Sequence, residues 1–169
     1  GKSPVYGTFS AAFSNWAGLK GYGFLYVQGS AVPYTINDVS LFGGIGSPFN
    51  TMTGIVWEKT GLKPLISGTL ELQGFTKGFT VQGINFTANS SKPALKLVDT
   101  TGTIKLVDIS VTNTGGTGIM ISNHKGAIAI TNVNANDNLY NGADITNIFW
   151  DNIIKKYVNA GNVTITNSA

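Results

Sequence analysis

Few residues of this chain can do chemistry, and their types narrow what that chemistry could be. There are eight carboxylates: Asp38, Glu58, Glu71, Asp99, Asp108, Asp137, Asp144 and Asp151. Beside them stand a single histidine, His124, and eleven basic residues, all of them lysine. Cleaving a glycosidic bond takes paired carboxyls at a set separation, and proton transfer takes a base held at the reacting atom. The arrangement closest to a site is Lys96, Met120 and Asp144, the middle residues of three equivalent strands, which stack on one outward face. With one carboxylate and a methionine between the charges, that stack reads as a solvated wall. Asp137 with Asn134, Asn136, Asn138 and Asn141 is the best oxygen cluster. Calcium wants about six to eight oxygens, several of them charged, so this cluster reads as an Asn-rich corner. His124, in Asn123-His-Lys-Gly126, follows a strand and is expected as an exposed corner residue. No Ser or Thr has a His/Asp partnership, and Gly43-Gly-Ile-Gly46 is a turn with no helix start behind it to hold phosphate. Cysteine is absent, which removes disulfides, thiolate chemistry and Cys-based metal sites. No catalytic residue, metal ligand or cofactor is therefore expected.

Binding is the chemistry that remains. Residues 148–161 interrupt an otherwise regular spacing, and carry Phe149, Trp150 and Tyr157. Asp151 can cap a helix and Gly161 can stop one, and Trp150, Ile153, Ile154 and Tyr157 fall three or four apart. The expectation is a short helical insertion packing its own apolar stripe, with Phe149, Trp150, Tyr157 and nearby Tyr140 as candidate binding residues. Aromatic rings suit sugar faces. Three glycosylation sequons, at Asn85, Asn89 and Asn162, are what an Asn/Thr-rich chain produces by chance.

The elements that would position these residues follow from composition and period. The chain has 169 residues, 42% hydrophobic, enough for one folded domain rather than disorder. Only 11% are charged, under half the usual share of about a quarter, and Gly, Thr and Asn supply about a third of the chain. A net charge of +3 without arginine argues against nucleic acid, where basic clusters do the phosphate work. No apolar run approaches the roughly 18 residues of a membrane span. The chain begins with Gly1 and carries no signal peptide. It reads as cut from something longer, an extracellular or cell-surface protein whose export signal lies outside.

A repeat organises the second half. Phe79–Phe86, Ile104–Val111, Ile128–Ala135 and Val163–Asn167 each pinch two short alternating strands around one residue: Gly83, Asp108, Asn132 and Asn167. Leu95–Leu97, Ile119–Ile121 and Ala143–Ile145 form a second register, followed by Asp99, Asn123 and Asn147. A sharp corner needs a left-handed residue, nearly free for Gly and cheapest among the others for Asn and Asp. Apolar positions alternate with polar ones between the corners. Stacking the laps would align Phe79, Ile104, Ile128 and Val163, and likewise Leu97, Ile121 and Ile145. This predicts an all-β chain: a parallel β-helix, or β-solenoid, of about 24 residues per turn.

In the first half, Thr8–Gly18 reads as an amphipathic helix with Phe9, Phe13 and Trp16 on one face, suited to covering an exposed strand edge. Strands follow at Phe24–Val27, Tyr34–Ile36, Val39–Leu41, Gly54–Trp57, Leu65–Ile66 and Thr69–Leu72, in irregular register. The run Ala11–Gly29, then Tyr34-Thr-Ile-Asn-Asp-Val-Ser-Leu-Phe-Gly-Gly44, resembles the opening of right-handed parallel β-helix proteins of the pectin-lyase-like superfamily. Phe79–Ala169 is similar to their body repeats. The resemblance implies one β-helix domain over residues 1–169, capped by a helix at 8–18, from a large secreted or surface-displayed bacterial protein.

The family's enzymes act on acidic polysaccharides, with clustered acids and an Arg or Lys. Here His124 would need three Asp on neighbouring turns, and Asp99 alone stands in the equivalent corner. The first expectation is a non-catalytic module of a surface protein or adhesin, presenting a wall to glycans or other surface proteins. A second is the N-terminal support of a polysaccharide lyase or hydrolase whose catalytic turns lie elsewhere. A third is self-association through an uncapped C-terminal edge.

Overall fold

A computed structural model describes residues 4–16, 22–151, 153–159 and 161–169, with Phe149 described by its backbone alone. Its helix α1 (Phe9–Asn15) is capped by Thr8, whose hydroxyl accepts from Ala11 N–H at 3.1 Å. Gly18, expected as the helix stop, lies outside the described residues. Phe9, Ala12 and Trp16 are buried, and Phe9 meets Tyr34 edge-on at 5.4 Å.

Among the described residues fifteen strands follow: β1 (Phe24–Val27), β2 (Tyr34–Phe42), β3 (Gly54–Trp57), β4 (Leu65–Gln73), β5 (Phe79–Gln82), β6 (Asn85–Ala88), β7 (Leu95–Val98) and β8 (Ile104–Val107). The rest are β9 (Ser110–Asn113), β10 (Ile119–Ser122), β11 (Ile128–Thr131), β12 (Ala143–Ile145), β13 (Ile148–Asp151), β14 (Lys156–Asn159) and β15 (Val163–Thr166). The chain is predominantly β. One six-stranded sheet runs β1-β3-β5-β8-β11-β15, and a seven-stranded sheet runs β12-β10-β7-β4-β6-β9 with β2 also on β4. Every pairing in both sheets is parallel. The seven-stranded sheet curls because β4 pairs twice along its length. Leu65–Ser67 lie on β6, whereas Leu70–Gln73 lie on β7.

That bend merges what the sequence suggested were separate strands. Tyr34–Ile36 and Val39–Leu41 are one strand, β2, and Leu65–Ile66 and Thr69–Leu72 are one strand, β4. At the join, a bulge leaves Ile36 without a partner and brings Asn37 (φ 51°) opposite Gly68 (φ 125°), so both strands turn together with a one-residue shift of register.

The expected stacks are present. Phe79 lies opposite Ile104, Ile104 opposite Ile128, and Ile128 opposite Val163. Leu97 lies opposite Ile121, and Ile121 opposite Ile145. Alternation sends Leu95, Leu97, Ile104, Leu106, Ile119 and Ile121 inward to full burial. Left-handed corners occur at Gly83, Asp108, Asn132 and Asn167, and at Asp99 and Asn123. The corners also bond one another: Asn132 Nδ2 donates to Asp108 Oδ1 at 2.8 Å, and Asn123 Nδ2 to Asp99 Oδ1 at 2.5 Å. Asn147, expected as a seventh corner, is not among the left-handed residues. Its amide instead donates to the Gly161 carbonyl, so it ties off the insertion rather than turning a strand.

The helical insertion is corrected. β13 and β14 form an antiparallel hairpin. Asp151 does serve as a local cap: its Oδ1 accepts from the N–H of Ile153 (2.8 Å) and Ile154 (3.2 Å). The same bonds that would start a helix here close a tight turn, and left-handed Lys155 (φ 53°) sends the chain back. A helix this short is marginal unless an apolar stripe is buried. Ile153, Ile154 and Tyr157 are exposed, so nothing would hold such a stripe.

Candidate functional site

The hairpin brings two of the four proposed binding residues together. Trp150 and Tyr157 lie directly opposite across β13 and β14, and their rings meet edge-on at 5.1 Å and 68°. Cross-strand aromatic pairs of this geometry contribute about 0.5–1.5 kcal/mol beyond their buried area. Both nevertheless remain open to solvent, Trp150 at 41% and Tyr157 at 67% of their surface. Two side-chain amides anchor the hairpin's base. Trp150 N–H donates to Asn123 Oδ1 at 3.2 Å, and Asn147 reaches Gly161 as above.

Phe149 pairs its backbone with Val158; its side chain lies outside the described residues. Tyr140 is exposed, in the loop before β12, with its N–H donating to the Gly116 carbonyl at 3.3 Å. The hairpin follows β12, so an extended strand of about 10 Å stands between Tyr140 and the Trp150–Tyr157 pair along the chain.

His124 is not the exposed corner residue expected. It is fully buried, its Nδ1 lying 2.9 Å from the Thr100 hydroxyl and 3.1 Å from the Thr100 carbonyl. A carbonyl only accepts, which assigns the ring proton to Nδ1 and leaves Nε2 enclosed without a hydrogen-bond partner. Burial pushes the imidazole pKa down, and the backbone of Ala127, Thr100 and Gly126 opposes that more weakly.

The outward stack of Lys96, Met120 and Asp144 exists as expected, and extends to Glu71. Lys96 Nζ sits 2.9 Å from Glu71 Oε1, both half-buried, an ion pair across neighbouring strands. In the Asn-rich corner, Asn138 Nδ2 donates to the carbonyls of Ala135 (2.7 Å) and Asn136 (3.0 Å), so its amide holds the loop. Among the described residues no three His, Asp or Glu side chains gather as a metal site, and no helix is long and apolar enough to cross a membrane.

Two features escaped sequence reasoning. Asn113 is fully buried with every amide group bonded: Nδ2 donates to the carbonyls of Lys92 and Thr117, and Oδ1 accepts from Ser90 and Gly115 N–H. Nothing in an Asn-rich chain distinguishes it. The second is a glycine column. A Cβ on Gly126 would sit 2.0 Å from the Gly102 carbonyl oxygen, and one on Gly102 would sit 2.5 Å from Gly78 N. This column was legible, because the three glycines recur at the same interval as the Asp/Asn corners.

A cavity of about 430 Å³ lies between residues 4–12 and β1, with Tyr6, Phe9, Tyr26, Tyr34 and Glu58 in its walls. Comparison of the chain with protein-family models, with curated proteins and with solved structures finds no match.

Proposed function

We propose that this chain is a rigid, non-catalytic β-helix module of an exported surface protein or adhesin, which binds glycans or neighbouring proteins through its aromatic hairpin. The winding proposed is right-handed and pectin-lyase-like, with laps of about 24 residues. The parallel ladders, with Leu95 opposite Ile119 and Ile104 opposite Ile128, support it. Such a ladder makes a stiff body whose outward residues are free to vary, the property a display module needs.

The observation that carries the binding role is the Trp150–Tyr157 pair. Two large rings are fixed relative to one another on an anchored hairpin and left exposed. Exposed apolar surface of this kind marks contact sites, and ordered aromatic faces stack on the C–H faces of sugars. The test is a glycan array probed with the wild type and with Trp150→Ala and Tyr157→Ala. Signal on the wild type that both variants lose supports the reading; an array blank for the wild type removes it.

One observation favours a second reading, self-association at the β15 edge. Val163 and Ile165 are exposed although their partners Ile128 and Ile130 are buried. Sedimentation velocity that shows a concentration-independent monomer contradicts it.

A further inference from the structure

At the opposite end of the six-stranded sheet, β1 is paired on one side only among the described residues. The direction of its free hydrogen-bonding groups follows from the bonds it makes. Gly23 and Val27 carbonyls accept from Thr53 and Glu58 N–H, and Gly29 N–H donates to the Thr60 carbonyl. In an extended strand, the N–H and C=O of a residue point the same way and alternate along the chain. Odd-numbered residues of this strand therefore face β3, and the backbone of Phe24, Tyr26 and Gln28 faces away from it; the Gln28 carbonyl there accepts from the Tyr34 hydroxyl at 3.1 Å, which leaves the groups of Phe24 and Tyr26.

That free edge opens onto the 430 Å³ cavity, which four consecutive residues, Leu25 to Gln28, line. A cavity against one face of a strand would touch alternate residues; contact with all four places it along the edge. The helix expected to cover the sheet's end thus leaves a slot beside β1. Tyr6 and Tyr26 supply aromatic surface to the slot, and Glu58 supplies a carboxylate that has no ion-pair partner among the described residues. No lysine lines it.

We propose that this slot binds an extended peptide carrying a basic side chain, added as a further strand on β1. Backbone groups of Tyr26 bond the peptide's own backbone, as in strand addition to other exposed sheet edges. The peptide's cation meets Glu58 by charge complementarity and lies on a tyrosine face. An acidic peptide is rejected, because its carboxylate would face Glu58. This site is at the far end of the sheet from the Trp150–Tyr157 hairpin, so the two proposals stand or fall separately.

The test is isothermal titration of the whole chain with blocked heptapeptides, Thr-Val-Thr-X-Thr-Val-Thr, in which X is Lys or Glu. A third peptide has X as Lys and N-methyl groups on alternate backbone nitrogens, which removes donors and keeps the charge. The Lys peptide is expected to bind about fivefold or more tighter than the Glu peptide, and the N-methylated peptide to lose binding. Glu58→Gln, at an exposed position, should fold normally and erase the Lys preference. Equal binding of the N-methylated peptide, a Lys preference that survives Glu58→Gln, or no heat from the Lys peptide at about 1 mM overturns the proposal. So does a concentration-dependent oligomer that refuses the peptide, since a second copy would then fill the slot.

Discussion

His124 illustrates how a single residue's role depends on which way its corner turns. Residues 123–126 read as a loop, and loops are usually exposed; here the imidazole turns inward against Thr100. Burial holds its pKa below the ordinary 6.5, so the folded state prefers the neutral ring. The unfolded chain takes up the proton near pH 6.5, the folded chain only at lower pH. The contribution of the neutral ring is complete above about pH 6.5 and is lost as pH falls through the folded value. The wild type should therefore lose Tm between about pH 7 and pH 5, with a smaller slope in His124→Gln. Thermal unfolding at several pH values checks this; equal slopes would contradict it. Asn113 makes a second residue-scale prediction. Asn113→Ala leaves the part-buried N–H groups of Ser90 and Gly115 and the Lys92 carbonyl without their amide partner, and should cost about 2 kcal/mol in urea unfolding. Asn141→Ala, at an exposed position, should cost little.

Corners and hairpins are the scale at which the same chemistry gave two outcomes. At Asp108 and Asn132, side chains that tolerate left-handed backbone sit where a strand must turn, and sequence alone located them. Asn132→Ala should destabilise by about 1–2 kcal/mol, and Asn132→Gly by less, since Gly takes φ 53° without strain. Gly126→Ala should cost more than either, because its Cβ would press on the Gly102 carbonyl. Gly46→Ala, with open space around it, meets only the backbone penalty of about 1 kcal/mol. Denaturant midpoints of the four variants give the order. At Asp151, capping chemistry was equally visible, yet the element is a hairpin. A carboxylate that accepts from the second and third following N–H groups looks the same at a helix start and at a turn. What decided was whether a partner surface existed for Ile153, Ile154 and Tyr157, and sequence spacing carries no information about that.

Across the whole molecule, the apolar columns hold the two sheets together, and their interior members carry the stability. Ile121→Ala, central between Leu97 and Ile145, should cost about 3 kcal/mol. Ile165→Ala, exposed on β15, should be nearly neutral. A loss at Ile165 as large as at Ile121, measured by urea unfolding at dilute concentration, would mean that the β15 edge is covered in solution. The parallel ladders from Phe79 onward were written in the sequence, because strand alternation and left-handed corners are local requirements repeated at a fixed interval. So were the candidate rings Trp150 and Tyr157, though not that they face one another. Only the tertiary structure fixed the bend shared by Asn37 and Gly68, the burial of His124 and the slot beside β1. Each of these depends on which backbone lies against which, and contacts between distant segments leave no period along the chain.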